Sequence, residues 1–134
     1  MRILIVEDEE VAARGLKKML LEILEKEIQS IQIEKSLIGS TSFMQDKEID
    51  LVFLDLDLNG ENGFDLLKLS ISSSFQTIIV SANIDKAILA FEYGVLDFVP
   101  KPIQVDRLKK AINKLKSDSF KPKTKYLGVK EEDS

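Results

Sequence analysis

The chain has no cysteine and no histidine among its 134 residues, and it has only three prolines. Without cysteine there is no disulfide and no thiolate nucleophile, which is compatible with the cytoplasm, the expected location. Without histidine there is no Ser-His nucleophile pair and no zinc–histidine site. The chain also cannot itself donate a phosphoryl group from histidine. No apolar run approaches the roughly 20 residues that span a bilayer. The apolar stretch after Met1-Arg2 is too short for a secretory signal. A net charge of −4 argues against nucleic-acid binding by the domain as a whole. With 44% hydrophobic and 31% charged residues, the chain fits an ordinary globule with one core.

What is present alternates short apolar runs with longer amphipathic ones, the pattern of strand–helix units on a parallel sheet. Strands are expected near 2–6, 31–35, 50–55, 76–81 and 95–99, with helices near 9–28, 38–46, 63–72, 84–93 and 104–117. In the last helix Val105, Leu108, Ile112 and Leu115 form one stripe, and Lys109, Lys110, Lys114 and Lys116 lie off it. The stretch 38–46 is the weakest helix, because its Gly, Ser and Thr residues favour turns. Right-handed crossovers would put helices on both faces of a five-stranded sheet. One domain is expected over 1–117, with 118–134 a linker or tail. Within that tail Tyr126-Leu127-Gly128-Val129 reads either as a loose terminus or as the entry strand of a second domain.

The apolar run Leu51-Val52-Phe53-Leu54 stops on Asp55. A strand buried on both faces is continuously hydrophobic. An acid at its end therefore sits at the rim, where open α/β sheets hold their ligands. Other runs end in complementary ways: Arg2 to Val6 on Glu7 and Asp8, Thr77 to Val80 on Ser81, Val95 to Val99 on Pro100, Lys101 and Pro102. Each residue has a plainer role. Acids complement a helix N-terminus, as Glu9 and Glu10 are expected to do. Asp55 can open a turn, Ser81 can cap a helix, and Lys101 can be a surface charge.

If the first and third strands are neighbours, Glu7, Asp8 and Asp55 cluster, and their repulsion calls for a cation such as Mg²⁺. Asp55 is also a candidate nucleophile toward phosphorus, forming an acyl phosphate. Ser81 and Lys101 suit phosphoryl oxygens. Asp57 stays open between a side-chain ligand, a nearby charge and a loop residue whose backbone carbonyl matters. Lys101-Pro102 suggests a tight turn, a candidate cis bond that would aim the lysine inward. Asn59-Gly60-Glu61-Asn62-Gly63 carries two Asn-Gly turn signals.

From Ile3 to about Leu115 the chain resembles the receiver domain of two-component response regulators, a flavodoxin-like doubly wound five-stranded parallel sheet of order 2-1-3-4-5. Five dispersed motifs carry the resemblance in the family's order. They are Glu7-Asp8; Asp55 with Gly63 eight residues on; Ser81-Ala82; and Gly94-Val95-Leu96-Asp97-Phe98-Val99-Pro100-Lys101-Pro102, which holds both a switch aromatic at Phe98 and the lysine.

The resemblance implies Mg²⁺-dependent transfer of a phosphoryl group from a partner histidine kinase to Asp55. Glu7, Asp8, Asp55 and the backbone carbonyl of Asp57 would hold the metal, and Lys101 and Ser81 the phosphoryl oxygens. Ser81 and then Phe98 would move, changing the face made by the fourth helix, fifth strand and fifth helix. An output domain or effector would read that face, and homodimerisation there, with Leu89 and Tyr93 exposed, is a further expectation. Turnover of an external substrate is not expected.

Four departures stand out. Asn59 replaces the family's usual proline, which would loosen its loop, and Asn83 and Pro100 are less usual. Asp57 adds a carboxylate expected to strengthen Mg²⁺ dependence and alter acyl-phosphate lifetime. Ala90-Phe91-Glu92-Tyr93-Gly94-Val95-Leu96-Asp97-Phe98 further resembles receivers of LytTR-type regulators, whose output domains bind DNA; nothing in this segment is expected to touch DNA directly.

Two rivals remain. Phe53-Leu54-Asp55-Leu56-Asp57 is similar to the aspartate-x-aspartate signature of haloacid-dehalogenase-type phosphatases, a reading that leaves Glu7-Asp8 idle. A receiver-like interaction module without phosphorylation is the other, against which the full set of Asp55, Lys101 and both acids argues.

Overall fold

The computed structural model describes residues 1–58, 60–70 and 73–118. Asn59 and the 119–134 tail, with its Tyr126-Leu127-Gly128-Val129 run, lie outside the described residues. Five parallel strands, β1 (Arg2–Val6), β2 (Ser30–Glu34), β3 (Leu51–Leu54), β4 (Gln76–Ser81) and β5 (Asp97–Pro100), lie in the order β2-β1-β3-β4-β5. This is the expected 2-1-3-4-5 topology. Strand alternation divides the core in two. Ile3, Ile5, Leu51, Phe53, Ile78 and Val80 face α1 (Glu10–Leu24) and α5 (Val105–Asp118). Leu4, Val6, Val52, Leu54 and Ile79 face the other way, toward α2 (Leu37–Asp46), α3 (Phe64–Ser70) and α4 (Ala87–Glu92). Among the described residues, no helix is long and apolar enough to cross a membrane.

Local chemistry moves several boundaries. α1 buries Ala13, Leu16, Leu20 and Leu24 at helical spacing. It ends there because Glu25 takes a positive φ of 47°, and a 3₁₀ turn, Glu25–Glu27, follows. Glu9, at the N-cap of α1, makes no side-chain cap; Glu10 instead pairs with Arg14 and Lys35. The weakly patterned α2 forms because side chains outside it take up the free amides of its first turn. Ser36 accepts the Gly39 N–H (3.0 Å), Ser40 donates to the Ser36 carbonyl (2.7 Å), and Glu61 accepts the Leu37 N–H (3.2 Å). The fourth helix is shorter than its pattern, with a 3₁₀ turn, Ile84–Lys86, preceding six α-helical residues. Gly94, at φ 82°, then turns the chain toward β5.

β5 is fastened to α5 by charge. Asp97 is almost fully buried, yet Arg107 reaches both its oxygens at 2.7 and 2.9 Å and also donates to the Phe98 carbonyl. Lys114 adds an ion pair at 3.1 Å. Burial alone would raise the Asp97 carboxyl pKa. The Arg107 guanidinium, the Phe98 N–H and Lys114 outweigh it and hold the carboxyl below the usual range.

Candidate functional site

Strand order reverses at β1 and β3, and the crevice beyond their C-terminal ends is where such sheets take ligands. The ladder continues past both strands. Asp55 N–H donates to the Val6 carbonyl and Glu7 N–H to the Glu34 carbonyl, each at 3.0 Å. The acids at the strand ends are thus positioned by the sheet. Carboxylate oxygens of Glu7, Asp8 and Asp55 all lie within 4.8 Å of one another. Glu7 and Asp55 are buried, and Asp8 is half-buried.

Lys101 enters from the end of β5. Its backbone N–H donates to the Ser81 carbonyl (3.0 Å), and the Lys101-Pro102 bond is cis. The ammonium lies 2.6 Å from Glu7 Oε1 and 2.9 Å from Asp55 Oδ2. Burial would lower the Lys101 pKa, but Glu7 and Asp55 together hold it above its ordinary value. Glu7 does not gain equally. Burial, aided by the Asp55 charge, pushes its carboxyl up despite the pull of Lys101 and the Glu9 N–H. One ammonium facing three carboxylates leaves negative charge uncompensated, and an all-oxygen donor set of this kind fits a hard divalent cation.

The segment after Asp55 doubles back as a short hairpin, Asp57–Leu58 against Glu61–Asn62, with Gly60 at φ 89° in its turn. Gly63 serves space rather than turning: a Cβ there would stand 2.7 Å from the Leu56 Cα and 2.9 Å from the Asp55 carbonyl oxygen. Its N–H donates to the Leu56 carbonyl (3.0 Å), closing the loop beneath the acid.

Asp57 N–H donates to Asp55 Oδ1 (2.9 Å), so Asp55 also plays the plainer part of a turn acid. The Asp57 side chain points to other partners, outside the carboxylate cluster. Lys86 Nζ pairs with Oδ1 at 2.6 Å, and the Ser81 hydroxyl donates to Oδ2 at 3.4 Å. Ser81 also accepts the Asn83 N–H (3.0 Å), the turn-capping role. Lys86 was not singled out from the sequence, although it is the one Lys or Arg between Ser81 and Lys101. Phe98 is buried among the α2–α4 core residues. Of the two residues expected to be exposed on the fourth helix, Leu89 is, whereas Tyr93 is half-buried and packs its ring 5.7 Å from that of Phe64.

Comparison with known proteins agrees with this geometry. The family model described as "Response regulator receiver domain" matches residues 3–113. The chain is 36% identical over 118 residues to the sensory transduction protein LytT of Bacillus subtilis, covering 87% of this chain and 48% of that protein. It is 31% identical over 127 residues to LytR of Staphylococcus epidermidis, covering 93% of this chain and 50% of that one. It thus spans about half the length of these relatives. Among solved structures, the response regulatory domain of MrkE from Klebsiella pneumoniae superposes with a TM-score of 0.76 at 26% identity, covering 87% of this chain and 96% of that one. The chain belongs to the response regulator receiver domain family of two-component signal transduction.

Proposed function

We propose that Asp55 accepts a phosphoryl group from a phosphohistidine of a partner sensor kinase. The observation that carries this reading is the Lys101 ammonium, seated between Asp55 and Glu7 at the sheet's crevice. An Asp55 oxygen forms the new P–O bond, the P–N bond of the donor breaks, and its electron pair returns to the imidazole. Mg²⁺, when bound, supplies charge neutralisation and orientation for the transferring group. Glu7, Asp8, Asp55 and the backbone carbonyl of Asp57 are the residues to hold it. Lys101 and Ser81 take the remaining phosphoryl oxygens, and catalysis is positioning plus charge neutralisation by side chains already fixed by the sheet. No external substrate is turned over.

The product adds about −1.5 to −2 charges at neutral pH. That charge draws Ser81 toward Asp55 and repacks the region around Phe98, altering the α4–β5–α5 face. An output domain or effector protein, in the cytoplasm, reads the change. The greater length of the sensory transduction relatives supports an output domain, and the resemblance to LytTR-type regulators points to transcription control by it. The phosphorylated chain pairs with a second copy through the α4–β5–α5 face. A phosphatase of the haloacid-dehalogenase type would need Asp57 free as a general acid, and Lys86 occupies it.

The test is intact mass after incubation with a small phosphodonor, with and without Mg²⁺, on wild type and Asp55→Asn. One Mg²⁺-dependent phosphoryl adduct, absent from Asp55→Asn, is expected. A folded, Mg²⁺-binding wild type that takes no adduct from the small donor or from phosphorylated kinase would reject the reading in favour of an unphosphorylated interaction module.

A further inference from the structure

We propose that Lys86 and Asp57 are a positioning pair that keeps the Ser81 hydroxyl turned away from Asp55, so that a phosphoryl group must win the Ser81 proton from Asp57. The inference rests on Asp55 as phosphoacceptor and concerns how readily the site responds.

Four residues close a ring. Ser81 Oγ donates to Asp57 Oδ2 (3.4 Å), Asp57 Oδ1 meets Lys86 Nζ (2.6 Å), Lys86 N–H donates to the Asn83 carbonyl (3.2 Å), and Asn83 N–H returns to Ser81 Oγ (3.0 Å). A serine hydroxyl has one proton to give. While Asp57 receives it, no proton remains for an oxygen on Asp55. The Ser81–Asp57 link is long for an O–H···O bond, so it is the ring's weakest member and the first to open.

Lys86 is what keeps Asp57 in place. The Asp57 side chain is 50% exposed and without a partner would turn to water; the lysine, 31% exposed, holds it against the Ser81 side of the loop. The backbones on both sides are fixed, Asp57 by its bond to Asp55 and its pairing with Asn62, Lys86 by the 3₁₀ turn. Lys86 also leads directly into α4, whose outer surface carries exposed Ile88 and Phe91. Opening the ring therefore frees the start of α4 at the moment Ser81 changes partner. The same pair that restrains the hydroxyl ties down the element that displays the result.

The experiment measures binding of beryllofluoride, a phosphoryl mimic, with excess Mg²⁺, to wild type, Lys86→Met, Ser81→Ala and the double variant. Losing the Lys86 charge alters anion affinity similarly whether or not Ser81 is present, whereas the ring acts only through the hydroxyl. The affinity ratio of Lys86→Met to its parent should thus be at least about threefold higher with Ser81 than in the Ser81→Ala background. Lys86→Arg, which keeps the ion pair, should restore wild-type behaviour. Without the mimic, amide resonances of Ser81, Asn83 and Ala87 in Lys86→Met should move part of the way to their mimic-bound positions. Equal ratios in the two backgrounds, or resonances that stay put, would overturn the positioning role. Failure of the mimic to bind wild type, or undiminished binding to Asp55→Asn, would instead remove the phosphoacceptor reading and this inference with it.

Discussion

Arg107 grips the buried carboxylate of Asp97 through two guanidinium nitrogens, at 2.7 and 2.9 Å, joining the first residue of β5 to the first turn of α5. The carboxyl pKa lies below its ordinary value, so the pair stabilises the fold above the unfolded pKa near 3.8 and is lost as pH falls through the lower native one. Arg107→Met should cost about 2–4 kcal/mol at pH 7, because it strips a buried charge of its main partner. Its deficit relative to wild type should shrink as pH falls from about 7 into acid, because Asp97 takes up a proton in the variant at a higher pH than in wild type. Urea unfolding curves across that range check both statements; a deficit that does not change with pH would contradict the linkage.

Gly63→Ala tests how closely the loop approaches its acid. The added methyl meets backbone on two sides, so the loop beneath Asp55 must shift. We expect a loss of about 1–3 kcal/mol and slower Mg²⁺-dependent labelling of Asp55. Wild-type labelling in a destabilised variant would show that the loop yields without moving the carboxylate.

Lys101 should affect metal and phosphoryl in opposite directions. Lys101→Met removes the ammonium facing Glu7 and Asp55. Affinity for Mg²⁺ should rise, on the order of tenfold, because less positive charge competes for the same oxygens. Phosphoryl adduct formation should fall sharply. Calorimetric Mg²⁺ titration beside intact mass separates the two; a parallel loss of both would mean that the lysine chiefly holds the cluster together.

The outer surface of α4 offers a further test. Ile84 and Ile88 are among the most exposed large apolar side chains, at 65% and 79%, with Phe91 next along the same helical spacing. Phosphorylation should produce a dimer by light scattering, and Ile88→Lys should leave the phosphorylated chain monomeric. An unchanged monomer mass in phosphorylated wild type would reject this contact.

The strands and the acids at their ends were legible because both follow from burial: a run apolar on every residue must lie inside, and its first carboxylate marks the rim. Lys101 was legible for the same reason, as the cation at the end of the last strand. Contacts between segments that no period links were not legible. Nothing in Ile84-Asp85-Lys86 announces that Lys86 meets Asp57, and the pair changes what Asp57 does. The carboxylate of Asp57, expected to add to the metal's attraction, is ion-paired with its own lysine. Asp97 likewise read as one letter in a motif, although its burial depends on Arg107 ten residues on. In α2, composition argued for turns because propensity is blind to caps supplied from elsewhere, here by Glu61.

The ladder that runs on past β1 and β3 has a consequence for how the molecule breathes. The Asp55 amide donates between the two central strands, β1 and β3, so its hydrogen should exchange with solvent only when the whole domain opens, whereas the Glu7 amide donates to the edge strand β2. α4 has six residues and leans on a 3₁₀ turn, too short to hold itself together, and should open alone. On the proposed reading, the acid that would take the phosphoryl group is held by the sheet, and the helix that would display the result is the short one. A change imposed on Asp55 should then show first at α4, on the surface a partner would touch.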